Sequence, residues 1–296
     1  PEHRFRLEQF DVDDLRAAIA AEQVDLVITN PGYYVVMENE FGISRIATLV
    51  SPMALSTRQA IGSVVIARAD RQDLHDLADL SGKRIAAVAP AAFGGYLVAA
   101  REMLKQGIDP ESDLGEIRFV GLPMSNVIEA VLTGRADAGI IRACYAEQLS
   151  QQGLLRITDL RFLSTHPVNG LPCAVTTPLY PDWPIAVTRQ TDPALAKSVA
   201  QALLSMPTVK GGLSWSVPAD YQPVHNLYRE LRIGPYAYLR DITPEGLLRR
   251  FWPWLLAALA LLAGGVVHTV RVEHLVQRRT AELRESLRAR DLAETR

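Results

Sequence analysis

Two groups of residues have types and spacing that suit the capture of a small anion rather than its transformation. The first is Pro90-Ala91-Ala92-Phe93-Gly94-Gly95-Tyr96, where consecutive glycines meet the start of an apolar helical pattern. Glycines at a helix start let backbone N–H groups approach a ligand, and the helix dipole favours negative charge there. An ordinary strand-to-helix turn that needs its glycines for packing is the competing reading. The second group is Asn30 and Arg142. Laying residues 18–30 on 130–142 pairs Ala18 with Ala130, Ile19 with Val131, Asp25 with Asp137 and Ile28 with Ile140, which places Asn30 and Arg142 just beyond two matching apolar strands. Ligands of open α/β sheets collect at strand carboxyl ends, so two such units face to face would present an amide and a guanidinium across one cleft. For Asn30 taken alone, plain loop polarity is as good an account.

Other chemistries lack their residues. No G-x-G-x-x-G, G-x-x-x-x-G-K-[ST] or G-x-S-x-G occurs, so nucleotide cradles and a nucleophile elbow are excluded. The two cysteines, Cys144 and Cys173, and the six histidines show no zinc spacing. With 33 acidic against 31 basic residues the net charge is -2, which gives no field for nucleic acid.

The elements that must position these residues follow an alternating order. At 296 residues and 48% hydrophobic content the chain suits two globular units with a sizeable core. Phe5–Phe10 reads as a short strand, Val12–Glu22 as a helix capped by Asp11, and Val24–Ile28 as a buried strand. Strands are expected at Gly62–Arg68, Arg84–Ala89, Ile117–Val120, Asp137–Ile141 and Trp183–Thr188. Helices are expected at Leu74–Leu80, Tyr96–Gln106, Ser125–Thr133 and from Pro193 to Leu204, most of them ended by glycine. This alternation predicts an α/β sheet architecture.

From Phe251 to Val270 twenty residues carry no charge, and as a helix they measure about 30 Å, the thickness of a bilayer's hydrocarbon. Trp252 and Trp254 suit an interfacial belt, and Arg249, Arg250 and Arg271 flank the span. A buried core helix is the alternative, disfavoured because every face is apolar. Arginines 271, 278, 279, 284, 288 and 290 follow the span, against 232, 240, 249 and 250 before it; the bias puts the tail in the cytoplasm and residues 1–250 outside. An exported domain needs a signal sequence, so a further N-terminal segment is expected. Beyond the span, Val272, Val276, Leu283 and Leu287 form a sparse stripe, the start of a two-stranded signalling coil or a solvated juxtamembrane helix.

Val24-Asp-Leu-Val-Ile-Thr-Asn-Pro-Gly-Tyr-Tyr34, Leu80-Ser-Gly-Lys-Arg-Ile85, Phe93-Gly-Gly-Tyr96, Gly134-Arg-Ala-Asp-Ala-Gly139, Leu179-Tyr-Pro-Asp-Trp-Pro184 and Asp220-Tyr-Gln-Pro-Val224 occur in the order seen in phosphonate/phosphite-type periplasmic binding domains. The set resembles the sensor domains of tetrathionate-sensor-type histidine kinases over nearly all of residues 5–235. The resemblance implies an α/β, two-lobed periplasmic-binding-protein-like clamshell of type II, followed by one transmembrane helix and a cytoplasmic helical linker. Lobe one takes residues 1–68 and returns at 174–242, lobe two takes 69–173, the juxtamembrane and transmembrane helix 243–270, and the signalling helix 271–296. A further strand and helix ahead of Phe5 are implied, and with them part of the lobe-one binding loop.

Carried onto this chain, the resemblance gives Asn30 and Tyr33 as lobe-one contacts, Phe93, Gly94 and Gly95 as lobe-two contacts, and Arg142 as the charge, with Thr177 and Tyr180 near the return crossing. Phosphonate binders usually carry hydroxyl residues where this chain has Ala91, Ala92 and Phe93. The loss of those donors argues against phosphate or phosphonate and for a softer or larger sulfur oxyanion such as tetrathionate. Cys144, two residues past Arg142, is a candidate for thiol exchange with a polythionate sulfur; a small buried hydrophobe is the favoured alternative, and a bond to Cys173 stays open. The implied function is the extracytoplasmic sensing and transmembrane region of a two-component sensor histidine kinase, in the inner membrane and homodimeric. Ligand closure would pass through Thr243 and Pro244 to the membrane helix. This region carries no cofactor; ATP and Mg2+, autophosphorylation and the cognate response regulator belong to a kinase part beyond it. A membrane-tethered binding protein of an oxyanion or phosphonate ABC transporter is the alternative, disfavoured by the charged helical tail, and a cyclase or chemoreceptor sensor is a third reading.

Overall fold

The computed structural model describes residues 4–52, 54–207, 212–240 and 244–294. They form two compact units, one up to Ala237 and one from Tyr238 onward.

The first unit contains two sheets. One has strands β1 (Leu26–Ile28), β2 (Ser44–Val50), β8 (Pro184–Val187) and β9 (Ser214–Ser216) in the order β1-β8-β2-β9, all antiparallel. The other has β3 (Ser63–Arg68), β4 (Arg84–Ala87), β5 (Glu116–Phe119), β6 (Ala138–Arg142) and β7 (Leu160–Leu163) in the order β5-β4-β6-β3-β7. There β5, β4 and β6 run parallel, while β3 opposes both β6 and β7. We call the two sheets, each with its covering helices, lobe one and lobe two.

Lobe two shows why an apolar run becomes a central strand. Val64, Val65, Ile66 and Ala67 are all fully buried; Val65 and Ala67 point to one core with Leu74, Leu77, Ile85 and Met103, and Val64 and Ile66 to another with Val127, Val131 and Ile141. Side chains alternate along a strand, so only a sheet covered on both faces can bury four in a row. Burying each of the larger ones contributes about 1.5–3 kcal/mol. The helices α3 (Val98–Lys105) and α4 (Ser125–Leu132) provide these covers. At Gly139 of β6 an added Cβ would sit 2.7 Å from Val127 and 2.9 Å from Val131, so glycine lets α4 lie directly on the strand.

Lobe one owes its helices to their caps. Asp11 accepts the Asp14 N–H to start α1 (Val12–Ala20). Asn30 accepts the Tyr33 N–H ahead of Pro31 to start α2 (Pro31–Phe41), which Gly42 ends in the left-handed region at φ 65°. The helices α6 (Pro193–Leu204), capped by Asp192, and α7 (Gln222–Leu231) also belong to lobe one, while α5 (Tyr145–Gln151) packs in lobe two beside β6. Two chain crossings join the lobes, and they pair at Ile61 and Tyr180 through mutual backbone hydrogen bonds of 3.0 and 2.8 Å.

One expected strand is corrected. Phe5–Phe10 is irregular, with Phe5 67% and Leu7 94% exposed. Among the described residues β1 pairs with β8 alone, so the segment has no ladder to join. The Leu74–Leu80 helix shrinks to a single turn at Leu77–Leu80, and the Tyr96–Gln106 helix starts earlier, as a π turn over Phe93–Leu97.

The second unit is dominated by α8 (Pro244–Glu294), 51 residues long. Within Phe251–Ala281 an 18-residue window has a mean hydropathy of 1.9 and none of it is buried, so the helix is long and apolar enough to cross a membrane. Thr243 and the side chains of Arg249, Arg250, Leu283 and Leu287 lie outside the described residues.

Candidate ligand-binding site

The carboxyl ends of the three parallel strands of lobe two converge on one edge, where the crevice of an α/β sheet takes its ligands. The chain leaves β4 into Pro90–Gly95, leaves β5 into the turn at Leu122–Met124, and ends β6 on Arg142. The turns touch: the Arg142 N–H donates to Met124 Sδ at 3.3 Å, and a Cβ on Gly94 would lie 3.4 Å from Arg142 Cγ and 3.1 Å from Ile61 Cγ2. Gly94 therefore makes room for the arginine stem, and its carbonyl is fixed by the Ser63 hydroxyl at 2.7 Å. Gly95 has a plainer role, since a Cβ there would strike Val88 at 2.8 Å.

Arg142 is half-buried, and among the described residues no carboxylate or carbonyl binds its guanidinium. Partly desolvating a charge without a partner is costly, so such a group is poised to take an anion. Alongside it lie the apolar Ala91, Ala92 and Phe93 and the N–H groups of the first π turn, which have no acceptor further back along the helix.

Lobe one meets this edge at Gly32. A Cβ on Gly32 would fall 2.8 Å from Phe93 Cδ2 and 2.7 Å from Tyr228 Oη, so the start of α2 lies against the lobe-two turn. Asn30, half-buried, spends its side-chain oxygen on the cap, and among the described residues its amide N–H2 has no partner. It is a helix cap with two donors to spare. Asn30, Phe93, Gly94 and Arg142 thus belong to one contiguous region, with Ile61, Ser63, Met124 and Tyr228 as members that no local sequence signal marked.

Three of the expected contacts are corrected. Tyr33 is 6% exposed; its hydroxyl donates to the Val12 carbonyl and its ring belongs to the lobe-one core, so it braces α1 on α2. Thr177 is fully buried, its hydroxyl accepting the Ser63 N–H at 2.9 Å and donating to the Pro178 carbonyl, which ties the return crossing to β3. Cys144 is bonded to Cys173, Cα to Cα 5.0 Å, so it offers no thiol; the bridge pins the end of β6 to the return crossing. Phe93 keeps its place in the region but is 3% exposed, its ring edge-on to Tyr180 at 5.4 Å. It acts as a wall behind the turn.

Two polar clusters lie apart from this edge. In lobe one, Glu38 receives Tyr34 Oη at 2.5 Å, Arg45 Nη1 at 3.0 Å and His225 Nε2 at 3.1 Å. Burial would raise the Glu38 carboxyl, but the hydrogen bonds from His225 and Tyr34 and the Arg45 charge hold it below the usual range. Burial, with Glu38 nearby, pushes the Tyr34 hydroxyl up to about 12. At the amino end of β4, a cavity of about 280 Å³ is lined by Arg68, Arg71, Arg84 and Asp137, but each of those arginines is engaged by a carboxylate. No group of metal-ligating side chains occurs among the described residues.

Two lobes joined by a double crossing, with the lobe-two strand ends turned towards lobe one, define a periplasmic-binding-protein fold of type II, and the comparisons agree. Residues 4–222 match the family of periplasmic substrate-binding proteins of phosphonate ABC transporters. The chain belongs to that family. It is 31% identical over 272 residues to the tetrathionate sensor histidine kinase TtrS of Salmonella typhimurium, a match covering 90% of this chain and 43% of that protein. The chain thus spans less than half the length of that curated relative. Among solved structures, a phosphonate-transporter binding protein from Pseudomonas aeruginosa superposes with a TM-score of 0.60 at 14% identity, covering 87% of this chain and 85% of that one. PhnD1 from Prochlorococcus marinus, in complex with methylphosphonate, gives 0.57 at 14% identity over 75% and 84%. XAC2383 from Xanthomonas citri, bound to chloride, gives 0.54 at 19% over 79% and 84%. At these identities the family's fold is shared, while the groups that select a ligand are read from this chain's own residues.

Proposed function

We propose that this chain is the extracytoplasmic sensing region, membrane span and linker start of a two-component sensor histidine kinase, and that a sulfur oxyanion of the tetrathionate kind binds between its lobes. The observation that carries the reading is Arg142, half-buried at the strand ends with no partner for its guanidinium among the described residues and an apolar turn beside it. A small, strongly hydrated phosphonate needs many donors, whereas a larger and softer anion is satisfied by one bidentate guanidinium, a few N–H groups and apolar contact. The relative's name supports the same ligand class. In this reading α8 anchors the chain in the inner membrane, the tail is cytoplasmic, two copies associate, and ATP, Mg2+ and the response regulator engage a kinase part beyond this chain.

The test is thermal stabilisation of the full chain in detergent by tetrathionate, thiosulfate, sulfate and methylphosphonate in turn. Tetrathionate should raise the melting temperature in wild type and not in Arg142→Ala; equal stabilisation of the two removes Arg142 from the site. A second reading, a membrane-tethered binding protein of a transporter, is favoured by the matched family. Stabilisation by methylphosphonate alone would select it.

A further inference from the structure

Arg101 makes a bidentate polar contact between the lobes. It lies on α3, whose Ala99 and Met103 belong to the lobe-two core while Val98 packs into the cluster that holds Val224 and Leu227, and its side chain is only 12% exposed. Its guanidinium reaches out of that lobe to grip Glu230 in bidentate fashion, Nε to Oε2 at 2.6 Å and Nη2 to Oε1 at 2.5 Å. Glu230 stands on α7, whose Val224, Leu227 and Tyr228 belong to the lobe-one core. The remaining Nη1 donates to the Tyr180 hydroxyl. Tyr180 is the residue at which the two crossings pair, and its ring lies against Phe93 of the candidate site. In chain order α7 is the last α-helix before α8. The Arg101 hydrogen bonds hold the Glu230 carboxyl below its usual range against burial, which marks it as charged at neutral pH.

A planar fork with all three nitrogens engaged, two on a carboxylate and one on a tyrosine at the hinge, is a fixed joint and differs from an isolated single-bond ion pair. We propose that Arg101 is an interlobe clasp: its pairing with Glu230 and Tyr180 holds lobe two on α7 and sets the resting balance between closed and open forms, and thereby the affinity for the anion. The affinity half rests on the function proposed above; the resting balance does not. A ligand can shift only an equilibrium whose two states it binds unequally, so stabilising the closed form beforehand lowers the free energy that the ligand must supply.

Spin labels at exposed Gln152 of lobe two and Gln201 of lobe one, introduced as Gln152→Cys and Gln201→Cys in the full chain, report lobe separation without ligand. Arg101→Ala and the milder Glu230→Gln should each broaden and lengthen the distance distribution and weaken tetrathionate binding about tenfold. The exchanged pair Arg101→Glu with Glu230→Arg should restore the narrow distribution. Wild-type distances in both single variants would overturn the clasp, as would an exchanged pair no narrower than Glu230→Gln, since the loss would then come from local packing. If wild type ignores tetrathionate while the single variants still open, the clasp stands and the ligand reading falls.

Discussion

The two ends of the lobe-two sheet both carry arginine, and they use it in opposite ways. At the amino end of β4, Arg84 grips Asp137 through Nε at 3.0 Å and Nη2 at 3.1 Å, while Arg71 Nη1 takes the same carboxylate at 2.8 Å. At the carboxyl end of β6 stands Arg142, five residues further along the chain from Asp137, with no acceptor for its guanidinium among the described residues. In the first arrangement each guanidinium lining the cavity is already engaged by a carboxylate. The second leaves a charge open where the fold family places ligands. A basic residue signals binding through the lack of a partner, and counting arginines does not reveal that.

The sharpest way to break the contrast is to remove each charge and compare what is lost. Arg142→Ala should cost about 2–5 kcal/mol of anion binding and leave stability within about 0.5 kcal/mol of wild type, the first read by calorimetric titration with tetrathionate and the second by thermal melting. Asp137→Ala should do the reverse: it removes the carboxylate that Arg71 and Arg84 share, so unfolding should become easier by about 1–3 kcal/mol with anion binding intact. If Asp137→Ala also abolished binding, the two ends would be coupled and the contrast would fail.

Acid sharpens the second half of that test. Hydrogen bonds from Arg84 foremost, then its backbone N–H and Arg71, hold the Asp137 carboxyl well below the usual range despite burial. A carboxyl depressed on folding contributes its stability in full above its unfolded pKa of about 4 and loses it as pH falls through the lower folded value. The melting-temperature gap between wild type and Asp137→Asn should therefore be constant from pH 7 to about 5 and shrink below pH 4. A gap that stayed constant to pH 2 would show that the ionised carboxylate is not what matters.

How far the sequence could be read follows the same line between local and distant causes. Val64–Ala67, the glycine helix stops and the uncharged stretch from Phe251 to Val270 announce themselves, because burial on both sheet faces, helix termination and a bilayer each act on neighbouring residues. The α2 helix was missed although its signal is local: Asn30-Pro31 is an N-cap followed by proline, with Gly42 eleven residues on, and it explains Asn30 better than loop polarity does. Phe5–Phe10 shows the reverse failure, a strand pattern that no neighbouring strand completes. Arg101 and Glu230 are 129 residues apart, and no local pattern joins them. Thr177 and Tyr33 misled because their hydroxyls look available until the fold assigns them partners.

Between the two arginine ends lies an intermediate case, Asn30, whose side chain faces both ways: its oxygen serves the fold and its amide is open. Asn30→Ala loses the cap and the donors together and should cost about 1 kcal/mol of stability, so by itself it cannot separate the roles. Asn30→Asp can. Aspartate caps as well as asparagine, so melting without anion should match wild type, yet the two amide N–H donors become an anionic oxygen beside the Arg142 edge. If the amide contacts the ligand, stabilisation by tetrathionate should fall sharply in Asn30→Asp; full stabilisation would assign Asn30 to the fold alone and leave Arg142 with the lobe-two turn to hold the anion.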